Sequence, residues 1–113
     1  MVVGVSQIPS VTPASVPADA YLLDVREPDE WQAGRIAQAH HLPMMEIPAR
    51  LAEIPRDGDV VVVCRSGGRS GQVVAYLGQQ GWDNVFNLVG GMQSWAATGL
   101  PMVADDDRPA IVI

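Results

Sequence analysis

Lysine is missing from this sequence, and cysteine occurs only once, as Cys64. All seven basic residues are arginines, and with 13 acidic residues the formal net charge is −6. A chain this acidic, without a basic stripe, lacks the positive surface that neutralises nucleic-acid phosphates. A single cysteine can form neither an internal disulfide nor a cysteine-cluster metal site. We therefore expect no nucleic-acid partner and no cofactor.

Long apolar runs are missing as well. No stretch reaches the length of about 18 apolar residues that a membrane-spanning helix needs. Residues 1–10 lack the basic start and the apolar stretch of a secretory signal. We expect a cytoplasmic protein with no membrane partner. A chain of 113 residues suits one domain (residues 1–113), and 48% hydrophobic residues can form its core.

Strand-like and helix-like segments alternate along the chain. A run of four valines at residues 60–63 is typical of a central parallel strand that is buried on both faces. Shorter or mixed apolar segments predict further strands at residues 5–8, 21–25, 39–42 and 85–89. Apolar spacing and start signals predict helices at residues 28–34, 48–54, 70–80 and 92–97. The alternation predicts an α/β domain with a mainly parallel sheet.

The most informative stretch follows the valine run. Cys64 stands where the strand ends and a helix is about to begin, and ligands bind at this end of the strands in open α/β sheets. Gly67 and Gly68 let the loop turn its N–H groups toward one point, and such a nest at a helix start binds anions. Arg65 and Arg69 add the positive charge that the rest of the surface lacks. The pattern predicts a Cys64 thiolate with a pKa below the free value of about 8.5.

The alternative is that Cys64 is inert. Lone cysteines after apolar runs are commonly buried packing residues, and glycine pairs commonly only make turns. Arg65 and Arg69 fit that alternative poorly, because burying an arginine costs several kcal/mol unless an anion pairs with it. The composition of the loop therefore favours anion chemistry at the sulfur.

Three ordered motifs resemble one known family. The segment Cys64-Arg65-Ser66-Gly67-Gly68-Arg69 resembles the six-residue active loop of rhodanese-like sulfurtransferases. Residues 24–36 and 90–101 are similar to the early and closing motifs of that family. The early motif is carried by Asp24-Val25-Arg26-Glu27, Glu30-Trp31 and Gly34-Arg35-Ile36; the closing motif is carried by Gly90-Gly91-Met92, Trp95 and Gly99-Leu100-Pro101. The resemblance covers about residues 21–101 and implies a five-stranded, mainly parallel sheet flanked by helices.

The resemblance also implies a reaction. Cys64 would take a sulfur atom from an anionic donor such as thiosulfate or a persulfide, become a persulfide itself, and pass the sulfur to cyanide, a thiol or a protein acceptor. Arg65 and Arg69 would bind the anionic oxygens of the donor. The amides of the remaining loop residues would hold the persulfide charge: Ser66, Gly67, Gly68 and Ser70. Because the sequence has no second cysteine, the acceptor must come from another molecule.

Several residues outside the loop receive more modest interpretations. Asp24 and Arg26 are expected to form an ion pair that supports the site. Glu27 and Glu30 are interpreted as acidic residues at a helix start. Adjacent residues on a strand face opposite sides, so His40 and His41 cannot hold one metal ion together. Four residues depart from the family pattern and are expected to affect local packing or the pocket rim: Arg35, Ala37, Gln38 and His41.

Two other functions stay open. Cysteine phosphatases and arsenate reductases generally place five residues between cysteine and arginine, whereas Arg69 comes one position earlier and Ser70 stands where that arginine would be. A sulfur-relay or docking module for a partner protein would keep the same cysteine chemistry. The tail at residues 102–113 combines three aspartates with an apolar end. It is either a frayed terminus or an edge strand or partner contact, and the chain is expected to be a monomer or a homodimer.

Overall fold

The computed structural model describes residues 8–113. The sheet is formed by strands β1 to β5, with bounds Ser10–Val11, Tyr21–Asp24, His40–His41, Val60–Val63 and Val85–Leu88. The α-helices α1 to α3 have bounds Pro28–Ala33, Gly68–Gln79 and Gly91–Ala97. Short 3-10 helices lie at Pro13–Ser15, Met44–Ala49, Leu51–Glu53 and Asp105–Asp107. None of the helices within the described residues is both long and apolar enough to cross a membrane.

The strands of this part of the chain form a five-stranded sheet in the order β1-β5-β4-β2-β3. Every pairing between neighbouring strands is parallel, which confirms the predicted α/β class. In the central strand, Val60 pairs with Tyr21 on one side and with Val85 on the other. The carboxyl end of β4, where Cys64 follows, therefore lies in the middle of the sheet.

The valine run of β4 is buried on both faces, as predicted. All four valines are 0% exposed. Successive side chains of a strand point to opposite faces, so Val60 and Val62 pack with Leu23 and Leu77, whereas Val61 and Val63 belong to a second core cluster. Burying a valine side chain contributes roughly 1.5–3 kcal/mol, so this strand anchors the fold. Cys64 continues the first face and packs in the cluster that includes α2 residues.

Some predicted element bounds differ from the observed ones. The helix predicted at residues 48–54 is instead a pair of 3-10 helices, Met44–Ala49 and Leu51–Glu53. Pro48 cannot donate a backbone hydrogen bond, and the non-helical backbone of Arg50, with φ −127° and ψ 27°, separates the two turns. Most of the strand predicted at residues 5–8 lies outside the described residues, and β1 begins at Ser10. Helix α2 begins two residues earlier than predicted, at Gly68.

The tail at residues 102–113 packs back onto the chain. Val103 and Arg35 exchange backbone hydrogen bonds of 2.9 and 2.8 Å in a single antiparallel bridge. Ile111 donates its N–H to the carbonyl of Ala33 at 3.0 Å. Gly34 makes this approach possible, because a Cβ at that position would overlap the carbonyl oxygen of Ile111. The tail is thus neither a frayed end nor a strand of the main sheet.

Candidate active site

The loop that carries Cys64 connects the buried end of β4 to the start of α2. Cys64 is 1% exposed, whereas Arg65 and Ser66 are exposed. Gly67 caps α2 with a φ of +105°, in the left-handed region that favours glycine. This turn aims the N–H of Gly67 back at the sulfur. The loop therefore depends on a glycine at position 67 for its shape.

The sulfur of Cys64 receives hydrogen bonds from the start of the helix. The N–H of Gly67 donates to Sγ at 3.1 Å, and the hydroxyl of Ser70 donates to it at 3.2 Å. Burial raises the pKa of the Cys64 thiol. The Ser70 hydroxyl and the amides of Ser70, Gly67 and Ser66 favour the thiolate and together bring the pKa below its ordinary value. The site is built to hold a negative sulfur.

Asn87 on β5 holds this arrangement from the neighbouring strand. Its Nδ2 donates to the carbonyl of Gly67 at 3.1 Å, and its Oδ1 lies within hydrogen-bond distance of the hydroxyl of Ser70. The single proton of that hydroxyl is therefore shared between Oδ1 and the sulfur of Cys64. One side chain thus contacts both residues whose donors reach the sulfur of Cys64. Asn87 was not among the residues predicted for the site. The available signal was a polar residue inside the apolar strand β5, whose buried ends are Val85 and Leu88.

Arg69 is paired with Glu30 of α1. Its Nη1 and Nη2 donate to the two carboxylate oxygens of Glu30, each at 2.8 Å. The hydrogen bond from Arg69 lowers the pKa of Glu30, and the same bond raises the pKa of Arg69, so both groups are ionised at neutral pH. The interpretation of Glu30 as only a helix-start charge was therefore incomplete. Its Oε1 does accept the N–H of Glu27 at 3.0 Å, as a helix cap does, but the carboxylate also reaches the active loop.

Arg65 contacts the tail rather than a second acidic side chain. Its Nε donates to the main-chain oxygen of Ile113 at 2.9 Å. In the amide orientation that suits both partners, the side-chain oxygen of Gln93 accepts from both terminal nitrogens of Arg65 at 3.2 Å. The two arginines that the sequence analysis assigned to the donor thus differ. Arg69 is paired with a carboxylate side chain, whereas Arg65 contacts a main-chain oxygen and a side-chain amide.

Asp24 and Arg26 form the expected ion pair. Both side chains are 0% exposed, and Nη2 of Arg26 lies 2.8 Å from Oδ2 of Asp24. Arg26 also donates to the carbonyls of Gly34 at 2.7 Å and Glu30 at 3.3 Å. The pair therefore joins the end of β2 to both the body and the end of α1. It positions the helix from which Glu30 reaches Arg69.

Two of the four residues that depart from the family pattern, Arg35 and His41, have structural partners. His41 stacks on Trp31 at 4.7 Å between ring centroids, while His40 stacks on Tyr21 at 4.1 Å on the other side of the strand. Arg35 donates to Asp105 at 2.7 Å and thereby connects its loop to the tail. Ala37 and Gln38 are exposed. The two histidines thus face opposite sides, as predicted.

Comparison with known proteins agrees with this geometry. Residues 13–98 match the family model described as a rhodanese-like domain. A sulfurtransferase of Allochromatium vinosum is 53% identical over 88 residues, which cover 78% of this chain and 82% of that protein. The thiosulfate sulfurtransferase GlpE of Actinobacillus succinogenes is 36% identical over 84 residues, 74% of this chain and 76% of that protein.

A solved structure supports the same assignment. The crystal structure of a rhodanese-related protein from Thermoplasma volcanium has a TM-score of 0.80 and 34% sequence identity, and the match covers 86% of this chain and 99% of that one. A buried cysteine at the end of a central parallel strand, beneath a helix start, is consistent with this assignment. The chain belongs to the rhodanese-like domain family, and the activity of its relatives is the transfer of sulfur.

Proposed function

We propose that this protein transfers a sulfane sulfur from thiosulfate or a persulfide to an external thiol or cyanide through a persulfide on Cys64. The observation that supports this proposal best is the pair of donors on the sulfur: the Gly67 amide at 3.1 Å and the Ser70 hydroxyl at 3.2 Å. Both favour a thiolate, and the thiolate is the nucleophilic form of cysteine.

The first step forms the persulfide. The thiolate of Cys64 attacks the outer sulfur of thiosulfate, and a new S–S bond forms as the S–S bond of thiosulfate breaks. The electron pair of the broken bond leaves with sulfite, so the step needs no proton and no outside oxidant. The terminal sulfur of the persulfide carries the negative charge. The amides of residues 66–70 would stabilise this charge as they stabilise the thiolate.

The second step returns the enzyme to its starting state. An acceptor thiolate attacks the terminal sulfur of the persulfide, takes that sulfur, and releases Cys64 as a thiolate. With cyanide the product is thiocyanate. Because Cys64 is the only cysteine, the attacking thiol must belong to another molecule. A small thiol and a protein acceptor use the same chemistry, so a sulfur-relay role remains compatible with the mechanism.

Arg65 and Arg69 would bind the oxygens of an anionic donor while keeping part of their present contacts. Arg65 is exposed, and it contacts the main-chain oxygen of Ile113 and the side-chain amide of Gln93. Within residues 8–113 no acidic side chain pairs with it, so an anion can bind it without displacing a carboxylate side chain. Arg69 shares its charge with Glu30, and its contribution to donor binding is smaller.

Intact-mass spectrometry tests the proposal directly. Incubation with thiosulfate should add one sulfur atom, about 32 Da, which cyanide or dithiothreitol removes, as expected for a covalent sulfur intermediate. The Cys64→Ser variant should gain nothing. An unchanged mass of the wild-type protein with both thiosulfate and a persulfide donor, while the thiol still reacts with iodoacetamide, would show that the proposal is wrong.

A further inference from the structure

We propose that Glu30 is a specificity-determining residue, which disfavours donors with two negative charges and favours sulfane-sulfur donors that carry one. Organic persulfides and thiosulfonates belong to the favoured class, and thiosulfate belongs to the other. The inference rests on the proposed function, because it concerns which donor transfers its sulfur to Cys64. It assigns to Glu30 a role at the active loop, although Glu30 lies on α1 and 39 positions before Arg69 in the sequence.

The guanidinium of Arg69 and the carboxylate of Glu30 lie side by side and form two hydrogen bonds. Both terminal nitrogens of Arg69 are engaged by the two oxygens of Glu30 at 2.8 Å. Two-point pairing of this kind fixes the geometry of a guanidinium as well as its charge. A donor that needs the outer face of Arg69 must compete with this carboxylate.

Glu30 is held in place independently of Arg69. Its side chain is only 11% exposed, and its Oε1 also accepts the N–H of Glu27 at 3.0 Å. The carbonyl of the same residue accepts from the buried guanidinium of Arg26. A carboxylate anchored in this way cannot swing aside without losing its contacts. Its negative charge is therefore a fixed part of the site.

The fixed carboxylate changes the charge that a donor meets. The charge of Arg26 is already matched by Asp24 in the interior. At the loop, the guanidinium groups of Arg65 and Arg69 are opposed by the thiolate of Cys64 and by the carboxylates of Glu30 and Glu27, whose charge also acts on Arg69. These five groups sum to one negative formal charge. A dianion therefore meets a net repulsion at the loop, and a monoanion is repelled half as strongly.

A matched pair of donors isolates this effect. Thiosulfate and the methanethiosulfonate anion carry the same transferable sulfur, but a methyl group in the second replaces one charged oxygen. With methanethiosulfonate, the Cys64 thiolate attacks the outer sulfur, the S–S bond of the donor breaks, and methanesulfinate leaves with the electron pair. Both reactions end in the same persulfide, and both are followed by intact mass.

The experiment measures the rate constant of persulfide formation with each donor. In Glu30→Gln, the ratio of the thiosulfate to the methanethiosulfonate rate constant should rise about 3- to 10-fold, as expected for one partly screened charge beside a binding site. Glu30→Asp keeps the charge and should keep a ratio near that of the wild type. Glu53→Gln is the matched control, because Glu53 accepts hydrogen bonds from Nε and Nη2 of Arg50 on the surface, and its replacement changes the net charge equally. In Glu53→Gln, the ratio of the two rate constants should stay at the wild-type value.

The outcomes distinguish the role of Glu30 from the proposed function of the protein. If both donors react and Glu30→Gln changes their rates by the same factor, the role of Glu30 is wrong and the proposed function stands. If neither donor adds sulfur to the wild-type protein, the proposed function is wrong and the role of Glu30 falls with it. Should Glu30→Gln fail to fold, the wild-type protein still decides. Its donor ratio should rise with ionic strength as the repulsion is screened, and a flat or falling ratio overturns the inference.

Discussion

The hydroxyl of Ser70 lies 3.2 Å from the sulfur of Cys64, and both side chains are buried. This pair joins the end of β4 to the first turn of α2, where the helix start already supplies amide donors. A hydrogen bond from an uncharged donor to a buried anion is one of the few means of stabilising a thiolate without a neighbouring positive charge. The reactivity of the sulfur should therefore depend on this hydroxyl.

Replacing Ser70 with alanine should make the thiolate of Cys64 less stable. The loss of one hydrogen bond, about 1 kcal/mol, lowers the thiolate-to-thiol ratio about fivefold and raises the pKa of the thiol. The rate of alkylation by iodoacetamide, measured against pH, should shift toward higher pH. Ser15→Ala, which removes an exposed hydroxyl that contacts Thr12, serves as the control. An unchanged profile in Ser70→Ala would remove the hydroxyl from the explanation of the lowered pKa.

Asn87→Asp should raise the pKa of Cys64 as well. The new carboxylate would stand beside the thiolate, compete for the proton of Ser70 and repel the carbonyl of Gly67. A like charge next to a thiolate disfavours it, and we expect the thiolate-to-thiol ratio to fall about tenfold or more. Alkylation at neutral pH measures this ratio.

The control for this variant lies on the loop just before the same strand. Asn84 also donates from Nδ2 to two backbone carbonyls, those of Pro55 at 3.1 Å and Gly58 at 2.7 Å. Asn84→Asp therefore disturbs equivalent contacts and adds the same charge before β5. It should lower stability and leave the alkylation profile unchanged. Equal shifts in both variants would mean that a general loosening of β5, and not the charge beside the sulfur, controls the thiol.

The sequence alone was enough to place the central strand and to locate Cys64 at its end. Four consecutive valines are typical of a strand that is buried on both faces, and a cysteine that follows such a strand before a glycine loop falls at its carboxyl end. These features depend on neighbours in the chain. Local spacing therefore predicted them, and β4 and the start of α2 lie within two residues of their expected bounds.

The contacts that tune the site could not be predicted in this way. The pairing of Glu30 with Arg69 and the contacts of Asn87 join residues that are far apart in sequence. Which side chains meet depends on the strand order and on the rotation of α1 about its axis. Local periodicity determines neither of them. The 3-10 turns around Pro48 illustrate a second limit. Apolar residues three and four apart fit a helical face, but they do not distinguish an α-helix from two tighter turns.

Gly91→Ala should destabilise both the fold and the active loop. Gly91 has a φ of +58°, and a Cβ there would overlap the carbonyl of Cys64 and the backbone of Arg65. The amide of Met92 donates to that carbonyl at 2.8 Å, so a clash would disturb the start of α3 together with the loop. We expect a loss of about 2–3 kcal/mol in the free energy of unfolding, measured with urea.

Gly78→Ala is the natural comparison for that variant. Gly78 lies inside α2 with no atom within 4 Å of the position of a new Cβ. Alanine favours the helix there by about 0.5–1 kcal/mol, so this variant should be more stable than the wild type. Opposite signs for the two glycine substitutions would support the contact between Gly91 and the active loop. A loss in both would indicate that the close approach at Gly91 is not the cause.

Arg26→Ala should be the most destabilising of these substitutions. It leaves the carboxylate of Asp24 buried at 0% exposure without its partner, and it removes the donors to the carbonyls of Gly34 and Glu30. Removing one member of a buried pair costs about 3–5 kcal/mol, a large part of the stability of a small domain. Arg108→Ala breaks a pair in which both side chains are more than 70% exposed, and should cost less than about 1 kcal/mol. Urea unfolding of the two variants measures the difference. If Arg26→Ala cost no more than Arg108→Ala, the buried pair could not be what holds α1, and with it Glu30, against the active loop.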